Sequence, residues 1–450
     1  MKPHADPQQM HSRLRLLIER IVTMGAIAFV LFVPARAQAL QPLEQFLQNA
    51  SEQNFDNREA RAIAIQRVRE SEQAWARLLP SLTISGDYIH NQHPAEAVVG
   101  AGDNGGLRHV VISPLNQWDA TFSAALTVID VAAWENVAGS SASREAQKAR
   151  VAAARLDVQK TVSRTYYQLI GASAVARASR RTFDAAEDNA RFIQTRFGAG
   201  LASELDLKRA LAEVERDKQA IADADYSVVT ARRSLETLTG LTPEDDTVQD
   251  APTLPLDDLH EEKPLREWLT VLDGLPSVRA SVEDQHAADR TADAAVAGML
   301  PTVTAQFTER FTNAAGFGQS PYYTVQTLAT WKLDLSTFQG SRAQRAAADA
   351  ASVRHDRARR TASDTLSDAW DQVRTNVEKS RAARASLDAS RLALSVARDK
   401  YASGKATLLD AVQAERDAFS AEVTEIQAEA DLATARANLQ LSAGHSLVSP

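Results

Sequence analysis

A segment from the middle of the chain recurs near its end. Residues 197–210 read Phe-Gly-Ala-Gly-Leu-Ala-Ser-Glu-Leu-Asp-Leu-Lys-Arg-Ala, and residues 401–414 read Tyr-Ala-Ser-Gly-Lys-Ala-Thr-Leu-Leu-Asp-Ala-Val-Gln-Ala. The same offset of 204 residues (401 minus 197) relates Gln168 to Gln372. Because each copy of an internal repeat must form one structural unit, this repeat limits the possible folds more than any other feature.

Proline is absent from two long intervals, 115–242 and 322–449. Since proline inside a helix costs about 3 kcal/mol, both intervals can be helical throughout. We predict two long helical hairpins, at 135–239 and 341–443, with Gly139 and Gly171 as weak points in the first. Single helices of this length are not stable alone in water, so they must pack side by side, as in a coiled coil or a helical barrel.

The turn of each hairpin carries matching signals. Gly200 and Gly404 lie where the end of a helix needs a left-handed residue. Ser203 and Thr407 follow as N-caps of the returning helices. In the next turn, the carboxylates of Asp206 and Asp410 complement the positive end of the helix dipole.

Segments of alternating apolar and polar residues precede each hairpin. They predict four β-strands, in pairs at 81–130 and 302–334, each with one apolar and one polar face. Each strand has about the length that a tilted membrane strand requires, with aromatic residues near the ends. Polar loops at 91–117 and 313–321 connect the strands of each pair.

The N-terminus has the pattern of a secretory signal. Three arginines at 13, 15 and 20 precede the apolar run 24–33, and an Ala-x-Ala site follows. We predict a signal peptide at 1–39, cleaved after Ala37 or Ala39. The alternative is an uncleaved anchor helix, which the short apolar run disfavours.

These boundaries divide the rest of the chain into three parts. The first repeat covers 40–240 and consists of a helix, a strand pair and a helical hairpin. A linker rich in proline and acidic residues covers 241–276 and includes a short helix near 265–272. The second repeat covers 277–450 and has the same order of elements.

Composition excludes several functions. The net charge of −8 leaves no basic surface for nucleic acid. Without cysteine, the chain has no disulfide, thiol catalysis or lipidated cysteine. The nine histidines lack metal-site spacing, and no nucleophile–base pair or phosphate loop occurs. We therefore expect no enzyme activity, no cofactor and no metal.

Four membrane strands cannot close a barrel by themselves. Eight strands is about the minimum, and an open edge would leave backbone groups unpaired in lipid. If the strands cross a membrane, several copies of the chain must assemble to close the barrel.

The duplicated order of helix, strand pair and long hairpin behind a signal peptide resembles the TolC-type outer-membrane efflux (outer-membrane factor) family. The turn Tyr401-x-x-Gly404-x5-Asp410 and the Leu-Pro pairs at 79–80 and 300–301 carry the resemblance, which covers nearly the whole mature chain. It implies a mainly α fold with transmembrane β, in which the hairpins form an α-barrel. Four strands per chain would contribute to a trimeric 12-stranded β-barrel in the outer membrane.

The resemblance also implies partners. The homotrimer would be a passive conduit in an efflux or type I secretion system. It would receive substrate from an inner-membrane pump of RND, ABC or MFS type through a periplasmic adaptor protein. Outer-membrane lipid would surround the barrel, and the substrate itself would be chosen largely by the pump.

Roles for the turn residues follow from the same resemblance. The tips at Gly200, Ser203, Gly404 and Thr407 would dock the adaptor. Asp206 and Asp410 would form an acidic pore ring, and Tyr401 would tie neighbouring helices at the gate. For the two aspartates the alternative is helix capping alone, and for Tyr401 it is packing.

The sequence departs from the family pattern at two positions, which bear on the gate. Ala406 stands where an arginine tether can occur, and Gln413 stands where a second ring acid can occur.

A different class of protein also remains open, a periplasmic coiled-coil adaptor or scaffold. Such adaptors normally have one long hairpin flanked by small β domains. The two hairpins and four interspersed strands of this chain favour the channel.

Overall fold

The computed structural model describes residues 40–100, 107–244, 259–332 and 334–448. The predicted signal peptide at 1–39 lies outside the described residues, as do parts of the first predicted loop and of the predicted linker.

Helices make up most of the described chain. In order they are α1 (Leu43–Gln53), α2 (Phe55–Ala76), α3 (Val131–Gly198), α4 (Glu204–Thr239), α5 (Leu265–Trp268, continued by a 3-10 helix at Leu269–Gly274), α6 (Pro276–Ala297), α7 (Leu335–Ala402) and α8 (Leu408–Ser442). Helices α3 and α7 have 68 residues each, which corresponds to roughly 100 Å. The two predicted helical hairpins are therefore present, as α3–α4 and α7–α8.

Both long helices begin earlier than the sequence predicted, at Val131 and Leu335. An aspartate caps each start. The Asp130 carboxylate accepts a hydrogen bond from the backbone N–H of Ala133 at 2.9 Å, and Asp334 accepts one from Thr337 at 2.6 Å. These caps satisfy N–H groups that a helix start leaves unpaired.

Gly139 and Gly171 of α3 are points of close helix approach rather than weak points. A Cβ added at Gly139 would lie 3.4 Å from the carbonyl oxygen of Ala287 on α6. A Cβ added at Gly171 would lie 3.2 Å from the Cβ of Ala430 on α8. The absence of a side chain at both positions lets the neighbouring helices approach α3 closely.

The strands are β1 (Ser81–His90), β2 (Ala95–Gly100), β3 (Leu107–Ser113), β4 (Asn116–Ile129), β5 (Thr302–Thr312) and β6 (Tyr322–Thr330). Four of them form an antiparallel sheet in the order β1-β4-β5-β6. The central β4–β5 pairing joins the two repeats. Within the described chain, β1 and β6 each leave one edge of this sheet without a strand partner.

The first predicted loop, 91–117, is wrong in part. It contains β2 and β3, which pair as a separate antiparallel ribbon. The described residues thus contain six strands, of which the predicted four form the sheet. The ribbon contains runs of β-branched residues, Val98–Val99 and Val110–Ile112, which favour extended backbone. The polar and glycine residues around them obscured this signal.

One face of the four-stranded sheet is mainly apolar, although the register also places Glu309 on it. The register places Ile84 opposite Phe122, and Phe307 opposite Val325. The Phe307 ring also packs edge-on against Phe122, with ring centroids 6.4 Å apart. Ile84 is 80% exposed and Val325 is 70% exposed in the single chain, so this apolar face is open to its surroundings.

The opposite face is polar. Gln306 and Gln326 pair across β5 and β6, with a side-chain hydrogen bond of 2.9 Å. Arg310 donates from Nε and Nη2 to Oδ1 of Asp119 at 2.9 and 2.7 Å. The predicted division into one apolar and one polar face is confirmed.

The short helix α1 and the segment around α5, together called here the belt, pack against the middle of the long helices. Helix α1 packs on α3 and α4, while the segment around α5 packs on α7. The Tyr166 hydroxyl donates to the carbonyl of Gln41 at 3.2 Å, and the Trp370 indole donates to that of Lys263 at 2.8 Å. The two largest hydrophobic clusters lie at this level.

Arg–Glu ion pairs brace the second hairpin at seven-residue intervals. They are Arg384–Glu429, Arg391–Glu422 and Arg398–Glu415, at 3.1, 3.5 and 2.6 Å. In the first hairpin, Arg180–Asp225 at 2.7 Å occupies the positions equivalent to Arg384–Glu429. The two copies of the repeat thus share their backbone plan but differ in the charges that tie their helices together.

None of the described helices is both long enough and apolar enough to span a membrane.

Candidate gate at the hairpin tips

The two hairpin turns have the same backbone geometry. Gly200 has a φ of 73° and Gly404 a φ of 74°, in the left-handed region that favours glycine. The N–H of Leu201 donates to the carbonyl of Arg196 at 2.8 Å, and that of Lys405 donates to Lys400 at 2.7 Å. The prediction of left-handed glycines at the ends of α3 and α7 is confirmed.

A reciprocal capping box starts each returning helix. In the first hairpin, the N–H of Asp206 donates to Oγ of Ser203 at 3.1 Å, while the N–H and hydroxyl of Ser203 donate to Oδ2 of Asp206 at 3.4 and 2.7 Å. In the second, the same bonds join Asp410 and Thr407 at 3.3, 2.9 and 2.7 Å. Ser203 and Thr407 are therefore N-caps, as predicted.

Capping determines the electrostatics of Asp410. The Thr407 hydroxyl, and then its backbone N–H, hold the pKa of the Asp410 carboxyl below its ordinary value. Since the lowered pKa belongs to the folded turn, this cap is intact at neutral pH and is lost on acidification through that pKa. Asp410 is exposed, whereas Asp206 is half-buried. The two aspartates thus carry the same capping role in different surroundings.

Tyr401 lies between the two hairpins. It packs against a cluster formed by α3, α4 and α8, whose members include Ile193, Val214 and Val412. Partial burial raises the pKa of Tyr401. The Asp206 charge raises it further, and Arg196 opposes the shift. The structure therefore brings Tyr401 of the second hairpin close to Asp206 of the first.

The two positions that depart from the family pattern have local roles. The backbone N–H of Ala406 donates to the carbonyl of Lys400 at 3.2 Å within the turn. The Gln413 side chain donates to Oδ1 of Asp417 at 2.9 Å, one turn along α8.

A cluster of charged side chains, called here the charged joint, links α4 of the first hairpin to α8 of the second near the tips. The sequence analysis did not predict it. Glu213 on α4 is buried, with 7% of its surface exposed. Arg416 on α8 donates to it from Nε at 2.9 Å and from Nη2 at 2.5 Å, and Arg216 of its own helix donates at 2.5 Å. Asp217 is also buried, and its Oδ2 has no hydrogen-bond partner among the described residues.

One signal for this joint was present in the repeat. The 204-residue offset aligns Asp217 with Ala421, a buried residue on α8. An acid therefore replaces a small residue of the packing stripe. The pairing of Glu213 with Arg416 had no local signal, because the two residues are 203 positions apart.

Within the described ranges, no three acidic, histidine or cysteine side chains are arranged to hold a metal ion.

The sequence profile described as Outer membrane efflux protein matches residues 46–241 and 270–445, which is most of the chain. The chain belongs to the outer membrane efflux protein family. A relative is Outer membrane protein OprJ of Pseudomonas aeruginosa, 25% identical over 360 residues, which cover 77% of this chain and 72% of OprJ.

Solved structures share the fold. The outer-membrane channel OprN superposes with a TM-score of 0.75 at 21% identity, over 90% of each chain. The open state of the Neisseria gonorrhoeae MtrE outer membrane channel gives a TM-score of 0.74 at 19% identity, over 91% of this chain and 90% of MtrE. At these identities the likeness demonstrates a common fold.

Family and fold together confirm the main predictions from sequence. The protein is an outer-membrane channel component of an efflux system, with the mainly α fold and membrane β-strands that the sequence predicted. The alternative of a periplasmic adaptor is not supported.

Proposed function

We propose that three copies of this efflux protein assemble into one conduit, with a 12-stranded barrel in the outer membrane and a helical tunnel below it. The open edges of the β1-β4-β5-β6 sheet carry the proposal. In hydrocarbon, an unpaired sheet edge is excluded, so β1 of one copy must pair with β6 of the next. Two copies would give eight strands, at the lower limit for a barrel, and the family resemblance favours three.

The two faces of the sheet set its orientation in this assembly. The exposed apolar face with Ile84 and Val325 would contact lipid. The polar face with Gln306, Gln326 and Arg310 would line the aqueous interior. Continuing below the sheet, α3 and α7 would extend roughly 100 Å into the periplasm.

In this arrangement the hairpin tips form the periplasmic end. The turns at Gly200 and Gly404, with the caps Ser203 and Thr407, would be the surface that a periplasmic adaptor contacts. An inner-membrane pump would supply energy and substrate. The different charges of the two hairpins would give the adaptor two kinds of groove around the tunnel.

Cysteine cross-linking tests the assembly, and the chain has no native cysteine to interfere. Ser85→Cys on β1 and Thr324→Cys on β6 place thiols on the two edge strands. A short bis-maleimide should yield covalent trimers from outer-membrane fractions. The single variants, which offer no thiol pair between adjacent edges, should not yield these trimers. Products that stop at covalent dimers, or protein recovered from the soluble periplasm, would contradict the proposal.

We predict that Asp410→Asn reduces the cation preference of the channel in planar bilayers. Asp410 is exposed at the tip, so three copies would concentrate negative charge at a narrow opening, which attracts cations. The asparagine can still accept the capping bond from Thr407. The measurement is the reversal potential in a salt gradient. Asp206→Asn serves as the comparison and should have a smaller effect, since Asp206 is half-buried. Unchanged selectivity in Asp410→Asn would leave this residue a helix cap only.

A further inference from the structure

The charged joint between the hairpins has an imbalance in its pairing, because two of its three arginines contact the same acid, Glu213. It consists of Glu213, Arg216 and Asp217 on α4 with Glu415 and Arg416 on α8. Arg398 of α7 pairs with Glu415 at 2.6 Å, and Glu213 receives both Arg216 and Arg416. The two glutamates are thereby neutralised, whereas the Asp217 carboxyl forms no salt bridge with any residue that the structure describes and feels Arg216 and Arg416 only through their charge.

The position of Asp217 makes that imbalance costly. Only 8% of its surface is exposed, and it lies on the packing stripe of α4 that also includes Ala210, Val214 and Ala224. Its Oδ2 is buried, and no residue in the described part of the chain forms a hydrogen bond with it. A buried carboxylate without partners is unfavourable when charged and tolerable when protonated.

We propose that this joint is a proton-sensitive latch, in which Arg416 and Glu213 hold the two hairpins of a protomer together and ionisation of Asp217 loosens them. Separation of the hairpins exposes Asp217 to water, where its charge is solvated. Closed joints therefore hold the proton on Asp217, and opened joints release it.

The direction of the pH effect follows from the difference between the pKa of Asp217 in the closed joint and its pKa in the open joint. Burial, followed by the charges of Glu213 and Glu415, raises the pKa of Asp217 from 3.8 to about 6, while Arg216 and Arg416 oppose the shift. The closed joint thus binds more protons than the open one, and it loses stability as pH rises from about 4 to about 6. The pKa of Glu213 is lowered despite burial, because Arg416 and Arg216 contact it. Its ion pairs therefore stay intact throughout that range.

Separation of the hairpins removes the packing that keeps the first turns of α4 helical, so hydrogen exchange of the purified protein in detergent measures the opening of the joint. After correction for the intrinsic pH dependence of exchange, amides of 207–218 should exchange about tenfold faster at pH 7 than at pH 5. A difference of about two pKa units between the closed and the open joint changes the opening equilibrium by about a hundredfold over the whole pH range. About tenfold of that change falls between pH 5 and pH 7. In Asp217→Asn, which imitates the protonated acid, the corrected ratio should fall below about twofold.

Asp417→Asn is the matched control. Asp417 is exposed on α8 and accepts a hydrogen bond from Gln413 of its own helix, so the wild-type pH dependence should persist. If Asp217→Asn does not fold, Asp217→Ala serves instead, since alanine occupies the equivalent position 421 in the second hairpin. A wild-type ratio near one, or an unchanged ratio in the Asp217 variants, would overturn the latch.

The inference rests on the proposed function only in that the hairpins border the tunnel entrance. Exchange at 207–218 reports the joint within one protomer, whereas cross-linking between β1 and β6 reports assembly. Failure of the latch would leave the trimer unaffected, and failure of the trimer would show in the cross-linking alone.

Discussion

Replacing Val325 by arginine is expected to prevent stable insertion of this efflux protein into the outer membrane. Val325 lies in the middle of β6, on the apolar face opposite Phe307, and is 70% exposed in the single chain. An arginine at the midplane of a membrane β-barrel costs about 2–4 kcal/mol. Three copies would multiply that cost. Fractionation of the envelope and the heat-modifiable trimer band on gels measure the outcome.

The neighbouring residue provides the control. Gln326 lies on the polar face and hydrogen bonds to Gln306, so Gln326→Arg should place the same charge in the aqueous interior. We expect this variant to insert at close to the wild-type level. If both arginine variants insert equally well, the assignment of the two sheet faces is wrong. If both fail, the strand tolerates no arginine and the face assignment loses its support.

The parts of the fold that follow local rules were predictable from sequence. Proline-free intervals predicted α3, α4, α7 and α8, and alternation predicted the four strands of the sheet. The turn glycines and their caps were predictable because a left-handed residue and an N-cap require particular side chains within a few positions. The ribbon of β2 and β3 was missed, since two short strands within a polar, glycine-rich segment produce weak alternation.

The features that depend on lateral packing were not predictable. Arg416 meets Glu213 only because α3, α4 and α8 pack together near the tips. The register of two long hairpins is a property of the whole repeat, and a one-residue slip would turn each of these side chains away. For Asp217, sequence reveals an acid on an apolar stripe, but burial and the missing partner appear only when the helices are in place.

The second prediction with a large effect concerns the belt that joins the long helices. Leu366 on α7 is fully buried and packs in a cluster with Val278 of α6 and Leu439 of α8. Leu366→Ala should lower the free energy of unfolding by about 2–5 kcal/mol per copy, because it removes buried methyl groups and leaves a cavity where three helices meet. Urea unfolding of the detergent-solubilised protein, followed by circular dichroism, measures the change.

Leu409→Ala tests whether burial is the cause. Leu409 is 52% exposed at the tip of the second hairpin, so the same substitution should cost less than about 0.5 kcal/mol there. Equal losses in the two variants would mean that the belt cluster does not hold the helices together. A large loss of stability in Leu366→Ala alone would mean that the buried cluster at the belt holds the long hairpins together. The hairpins would then be anchored at mid-length, with the joint near the tips as the place where they can separate.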